Sequence, residues 1–203
     1  MSKLYQKGLY LEYFTVGYNI LEAVASILLG ALNNSIALIG FGLDSIVESL
    51  SGCILIWRLS QHQSMTPEAE EKIEQRAIQF VAITFFLMAG YIGFESLRKL
   101  ITQDAPDPSL LGIILAILSL IIMPLLAWQK NKVGKQINSR ALIADAKETL
   151  VCSFLSVALL LGLVGNYWFG FWQADPFAGF IIVFYLIKEG WEVWEEAHES
   201  DVD

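Results

Sequence analysis

Two pairs of side chains with acid or sulfur chemistry stand four residues apart inside otherwise apolar stretches: Asp44 with Glu48, and Glu148 with Cys152. On a helix, residues i and i+4 lie one above the other on the same face, so each pair points one way. If the two faces pack together, three carboxylates and one thiol converge. A charged carboxylate inside a bilayer costs at least ~2.5–3.5 kcal/mol, and acids so placed usually face a bundle interior and carry function. Two ionised carboxylates stacked at i, i+4 also repel each other. A proton or a cation relieves both costs. Oxygen and sulfur donors at ~2.0–2.3 Å suit a divalent transition metal, zinc or a similar ion. Protons supply the second state, because a desolvated carboxyl goes neutral when no metal is present, and metal binding releases them. A site alternating between a metal and protons is the core of an antiporter. The plainer alternative is hydrogen bonding between helices, which suits a lone acid better than two stacked pairs.

Such pairs need helices to hold them in the membrane, and the composition supplies these. Of 203 residues, 55% are hydrophobic and only 17% charged, with a mean hydropathy of +0.53. A soluble domain is nearer half apolar and a quarter charged. The apolar residues come in blocks of roughly 20, the length that crosses ~30 Å of hydrocarbon. Six spans are expected: Leu11 to Leu32, Ile36 to Leu59, Ala77 to Leu97, Leu110 to Trp128, Ala141 to Val164, and Phe171 to Lys188. They are continuously apolar rather than alternating, which argues for helices over a β-barrel. The expected fold is therefore an all-α integral membrane protein, a six-helix domain over residues 1–190 followed by a short acidic cytoplasmic tail at 191–203. The net charge of −8 argues against nucleic acid. Cys53 and Cys152 both lie in apolar segments and define no disulfide framework. No cleavable signal peptide is visible in the opening segment, and no nucleophile–base pair or cofactor motif marks an enzyme.

The breaks carry turn chemistry. Asn33-Asn34-Ser35 makes spans one and two a hairpin, Pro106 and Pro108 separate spans three and four, and Thr66-Pro67-Glu68 opens an amphipathic stretch leading into span three. Basic residues set the orientation. With the N-terminus inside, the cytoplasmic segments hold Lys3, Lys7, Arg58, Lys72, Arg76, Lys130, Lys132, Lys135, Arg140 and Lys188, against Arg98 and Lys99 outside. Both termini are then cytoplasmic.

The stretch from Ala37 to Ser49 can be laid over that from Ala141 to Ser153, which puts Asp44 on Glu148 and Glu48 on Cys152. Under the six-span topology these segments run in opposite directions, a weak inverted repeat relating helices two and five, as in many secondary transporters.

With those residues in view, the chain resembles the membrane domain of the cation diffusion facilitator family of metal transporters. The family pairs D-x-x-x-D or H-x-x-x-D on the second helix with H-x-x-x-D on the fifth, in one tetrahedral site; here those places hold Asp44 and Glu48, then Glu148 and Cys152. Ser35-Ile36-Ala37-Leu38, Ala144-Asp145-Ala146 and Ala174-Asp175-Pro176-Phe177-Ala178 also resemble family motifs. The resemblance implies efflux of a divalent metal by proton exchange, in a homodimer of the cytoplasmic (inner) membrane, with no permanent cofactor. The sequence departs from the pattern in having no histidine at the site, so zinc selectivity does not carry over. Cys152 favours softer ions and three carboxylates harder ones, leaving Zn, Fe, Mn, Co and Cd open. The sequence also ends soon after helix six, without the family's cytoplasmic metal-binding domain, which puts dimerisation through that domain in doubt.

Other groups have weaker claims. Glu22, mid-span on helix one, lines the ion path, carries protons or is structural. Lys147 lies between Asp145 and Glu148 and points off the site, so it is expected to neutralise Asp145 or reach a cavity; Glu22, Asp145 and Lys147 are the candidates for an ion or proton path. Glu12 and Glu95 lie near span ends, within reach of water. Asp175 is expected to cap helix six, Cys53 to pack, and Pro124 to kink span four. His62 and His198 lie outside the spans as solvated polar groups. Two rival functions use the same acids: a proton-coupled exporter of small organic cations, which would want aromatic faces around them where only Phe41 is near, and a non-transporting metal-sensing or assembly subunit.

Overall fold

A backbone amide in hydrocarbon finds a partner only within its own helix, and every regular element among the described residues is a helix. The computed structural model describes residues 3–61, 67–137 and 139–199. They form α1 (Lys3–Leu32), α2 (Ile36–Gln61), α3 (Pro67–Thr102), α4 (Leu110–Ile137), α5 (Arg140–Phe169) and α6 (Ala174–Glu199). Among them α1, α2, α4 and α5 each carry a stretch long and apolar enough to cross a membrane. The bundle is apolar outside: Leu21, Leu87, Leu161 and Phe184 are all at least two-thirds exposed, far more apolar surface than water tolerates. The polar residues turn inward instead. On α1 Glu12, Thr15, Asn19, Glu22 and Ser26 are all buried, and their alternating three- and four-residue spacing makes one stripe down a helix face.

α1 packs mainly on α2, α4 on α5, and α3 on α6. Ile36, Leu38 and Phe41 of α2 share the larger apolar core with Ile92 of α3, Leu159 of α5 and Ile182 of α6. A smaller cluster joins Leu11, Leu55, Met123, Leu126 and Leu142 across α1, α2, α4 and α5.

Two hairpins have the same construction. In the first, Ser35 N donates to Gly30 O at 2.8 Å and Leu38 N donates to Ser35 Oγ at 3.2 Å. In the second, Ser139 N donates to Gly134 O at 3.0 Å and Leu142 N donates to Ser139 Oγ at 3.3 Å. Each glycine lets the incoming helix cross close: a Cβ on Gly30 would lie 2.9 Å from Ile39 N, and one on Gly134 would lie 3.2 Å from Ile143 N. Both hairpins read G-x-x-x-N-S-x-A-L-I, at Gly30 to Ile39 and Gly134 to Ile143. The Asn33-Asn34-Ser35 reversal is as expected, with Asn34 in the left-handed region at φ 52°.

α2 and α5 run antiparallel. Asp44 meets Cys152 at 3.2 Å, while a Cβ on Gly112 would touch both Leu38 and Leu163, at 3.0 and 3.1 Å. Moving toward the start of α2 thus moves toward the end of α5, the sense an inverted repeat demands.

The helices outrun the apolar blocks. α1 starts at Lys3 rather than Leu11, α4 continues past Trp128 to Ile137, and α6 runs through the segment expected as a tail to Glu199. Polar residues beyond an apolar block still complete backbone hydrogen bonds along the helix, and that extension places side chains that the sequence put in loops.

Gly30→Ala is expected to destabilise the chain by about 1–3 kcal/mol, since the added methyl meets backbone that cannot turn aside. Gly17→Ala, with nothing within 4 Å of its Cβ position, is expected to be neutral or stabilising by up to ~1 kcal/mol. Thermal unfolding of the two variants in detergent gives the comparison.

Candidate functional site

The stacking of Asp44 and Glu48 on α2 follows from helical repeat, and the antiparallel approach of α5 presents Cys152 to them. Asp44 and Cys152 are both buried, and the thiol donates to Asp44 Oδ2 at 3.2 Å. Glu48 is buried one turn along, and neither of its carboxylate oxygens has a hydrogen-bond partner among the described residues. Glu148 is carried by α5, but its side chain lies outside the described residues. Among those that are described, no three Asp, Glu, Cys or His side chains gather closely enough to hold a metal.

α1 closes the site from the side. Glu22 accepts from Ser45 Oγ at 3.0 Å, which ties α1 to the turn of α2 that bears Asp44, and from Tyr18 OH of its own helix at 2.9 Å. On α5, Ser156 lies one turn beyond Cys152 and donates to Ser119 of α4 at 3.1 Å.

A second polar centre lies toward the α4–α5 hairpin. Lys130 Nζ donates to Asp145 Oδ2 at 2.5 Å and to Thr149 Oγ1 at 3.3 Å, and stands 3.2 Å from Glu12 Oε2. That last contact is one of charge rather than a directed hydrogen bond, since neither Glu12 oxygen has a hydrogen-bond partner among the described residues. Both Lys130 and Glu12 are fully buried.

Several expectations are corrected here. Lys130 is not a loop cation, because α4 extends two turns past Trp128 and carries it into the bundle. Glu12 does not reach water, because α1 begins nine residues before it. Asp145 is neutralised by Lys130 and not by Lys147, which is exposed; residues two apart on a helix do not face each other. Asp175 lies inside α6 and caps α2 instead: it accepts from Ile36 N at 3.0 Å and from Ser35 Oγ, with Lys99 Nζ at 3.9 Å. Cys53 is exposed on α2 rather than packed. His62 and the side chain of His198 lie outside the described residues. The spacing of the α1 stripe was the signal available in the sequence for Glu12 as a buried group.

Buried acid, thiol and ammonium groups enclosed by helices with apolar outer faces define an integral membrane protein with a polar interior. The chain belongs to the cation efflux family, whose transmembrane domain matches residues 13–200. It is 28% identical to an uncharacterized transporter of Methanocaldococcus jannaschii, over 86% of this chain and 63% of that protein. It is 26% identical to transmembrane protein 163 of Xenopus laevis, over 91% of this chain and 65% of that one. Similarity to magnetosome protein MamB of a Magnetospira species is 28% over 86% of the chain and 61% of the relative. The chain thus spans less than two thirds of the length of these curated relatives.

Proposed function

We propose that the chain exports a divalent transition-metal cation across the cytoplasmic membrane in exchange for protons, through a site made by Asp44, Glu48, Glu148 and Cys152. The observation that carries the reading is the Cys152 thiol on Asp44 Oδ2, 3.2 Å apart and buried between antiparallel helices. A soft and a hard donor meet there inside the bundle. The unpartnered oxygens of Glu48 add donors one turn away, and Glu148 is the remaining ligand. In this reading α2 and α5 draw together round the metal to complete its coordination sphere.

In this reading all six helices cross the membrane, both termini are cytoplasmic and the working unit is a homodimer. The cargo is one of Zn, Fe(II), Mn, Co or Cd, with Cys152 weighting the softer members. Glu22, bonded to Ser45 beside Asp44, is the nearest additional proton acceptor on the path. The test is metal uptake into liposomes that enclose a metal-sensitive dye. Flux that disappears in Asp44→Ala and in Cys152→Ala supports the site, and unchanged flux in both rejects it.

A further inference from the structure

Glu12, Lys130 and Asp145 take no part in the site just described. They converge from α1, α4 and α5, and their positions follow from the same helical repeat. Asp145 precedes Cys152 by seven residues, two turns or ~10 Å along one face of α5. Glu12 lies against α2 one turn from Glu48, where Gly52 leaves room: a Cβ on Gly52 would stand 3.6 Å from Glu12 Oε2. The three groups therefore continue the polar face of the Asp44–Cys152 pair toward the α4–α5 hairpin.

Two acidic side chains share one ammonium inside the bundle, and all three groups are buried. The acid oxygens are also under-used. Glu12 is fully buried, yet both its oxygens, together with Asp145 Oδ1, lack a hydrogen-bond partner among the described residues. Buried acceptors left in this way are rare in folded proteins and call for a ligand. A divalent cation balances two carboxylates where an ammonium does not, and all-oxygen donors suit a hard ion.

We propose that Glu12 and Asp145 form a second intramembrane cation station whose resident occupant is the Lys130 ammonium, and that a divalent ion moving between the Asp44–Cys152 site and the α4–α5 hairpin displaces it. The station rests on the transport reading for its purpose, but its existence as a binding site does not. Lys130 is suited to the part because its charge sits on a flexible four-carbon stem, and Thr149 Oγ1 at 3.3 Å remains to receive it when a metal takes the carboxylates. With no metal at hand the ammonium returns, so the carboxylates are never left bare.

The experiment uses Mn²⁺ as probe and the full chain in lipid nanodiscs, in an Asp44→Ala background that removes the first site. Asp44→Ala alone is expected to bind no Mn²⁺ tightly. Asp44→Ala/Lys130→Met, with the station vacated, is expected to bind one equivalent per chain and to gain thermal stability on Mn²⁺ addition. Adding Asp145→Asn should abolish both effects, and Lys130→Arg in place of Lys130→Met should show neither. A folded Asp44→Ala/Lys130→Met chain that binds no Mn²⁺ overturns the proposal. Should that variant fail to fold even with Mn²⁺ present, Glu12→Gln in the otherwise native chain decides: Mn²⁺ flux at low metal concentration is expected to fall about tenfold, for the loss of one charged contact, and unchanged flux overturns the station. Full flux in Asp44→Ala would sink the first site instead, and leaves the Mn²⁺ titration of the double variant free to judge the second.

Discussion

Asp44→Ala protein in sealed vesicles is expected to load no more divalent metal than vesicles without protein, a loss of at least ~100-fold. Even groups that only orient a metal's ligands are worth 10–100-fold in affinity or activity, and Asp44 is assigned as a ligand itself. The same substitution should leave thermal stability level or raise it. Asp44 is buried and its described side-chain partner is the weak thiol donor of Cys152, so removing the carboxylate removes a desolvation cost with little bonding lost. A group kept for function at the expense of stability shows this opposition. If Asp44 were interhelical glue, stability would drop in Asp44→Ala and flux would fall only as far as the folded fraction does. Asp44→Asn sharpens the contrast: it keeps the shape and an acceptor for Cys152 but not the charge, and should be nearly as inactive.

The helical bundle was legible because burial in lipid leaves a coarse signal, blocks of apolar residues about a bilayer long. The ends of helices were not, because polar residues past a block cost nothing there, and the misplacements of Lys130 and Glu12 both come from that. Asp44 and Cys152 could be paired in advance because i, i+4 stacking and the repeat each constrain them independently. The repeat itself was visible further upstream than Ala37, in the shared glycine, asparagine and serine of the two hairpins; the hydrogen bonds of each serine, to the glycine carbonyl and from the amide three residues on, explain why the glycine and serine recur. Partners distant in sequence had no such signal. Lys130 sits in a mixed polar segment, Gln129 to Lys132, that reads as solvated surface until α1 and α5 are seen on either side. Asp175 stands beside a proline at a helix start, where capping its own helix is the default; that it caps α2, 139 residues away, depends on how α6 packs, which no local pattern encodes.

Asp175 is therefore the position outside the transport site where substitution should cost most. Asp175→Ala is expected to destabilise the chain by about 3–5 kcal/mol, the usual penalty for removing one partner of a buried charge pair. Its carboxylate is almost wholly enclosed and serves three groups at once: the Ser35 hydroxyl, the Ile36 amide that opens α2, and the Lys99 ammonium. Without it the Lys99 ammonium stays buried with the Asn34 carbonyl, and α2 loses the acceptor on its first amide. Lys99→Met should recover part of the loss in Asp175→Ala, because it removes the stranded charge, and a double-mutant cycle by denaturant unfolding in detergent measures that coupling. Function should suffer with stability, since Asp44 is nine residues into the helix that Asp175 anchors and a site held by two helices is sensitive to ~1 Å of misplacement. A chain with Asp175→Ala as stable as its parent, and coupled to Lys99 by nothing measurable, would mean that the start of α2 is held by its apolar packing on Ile182 and Ile92 and not by this carboxylate.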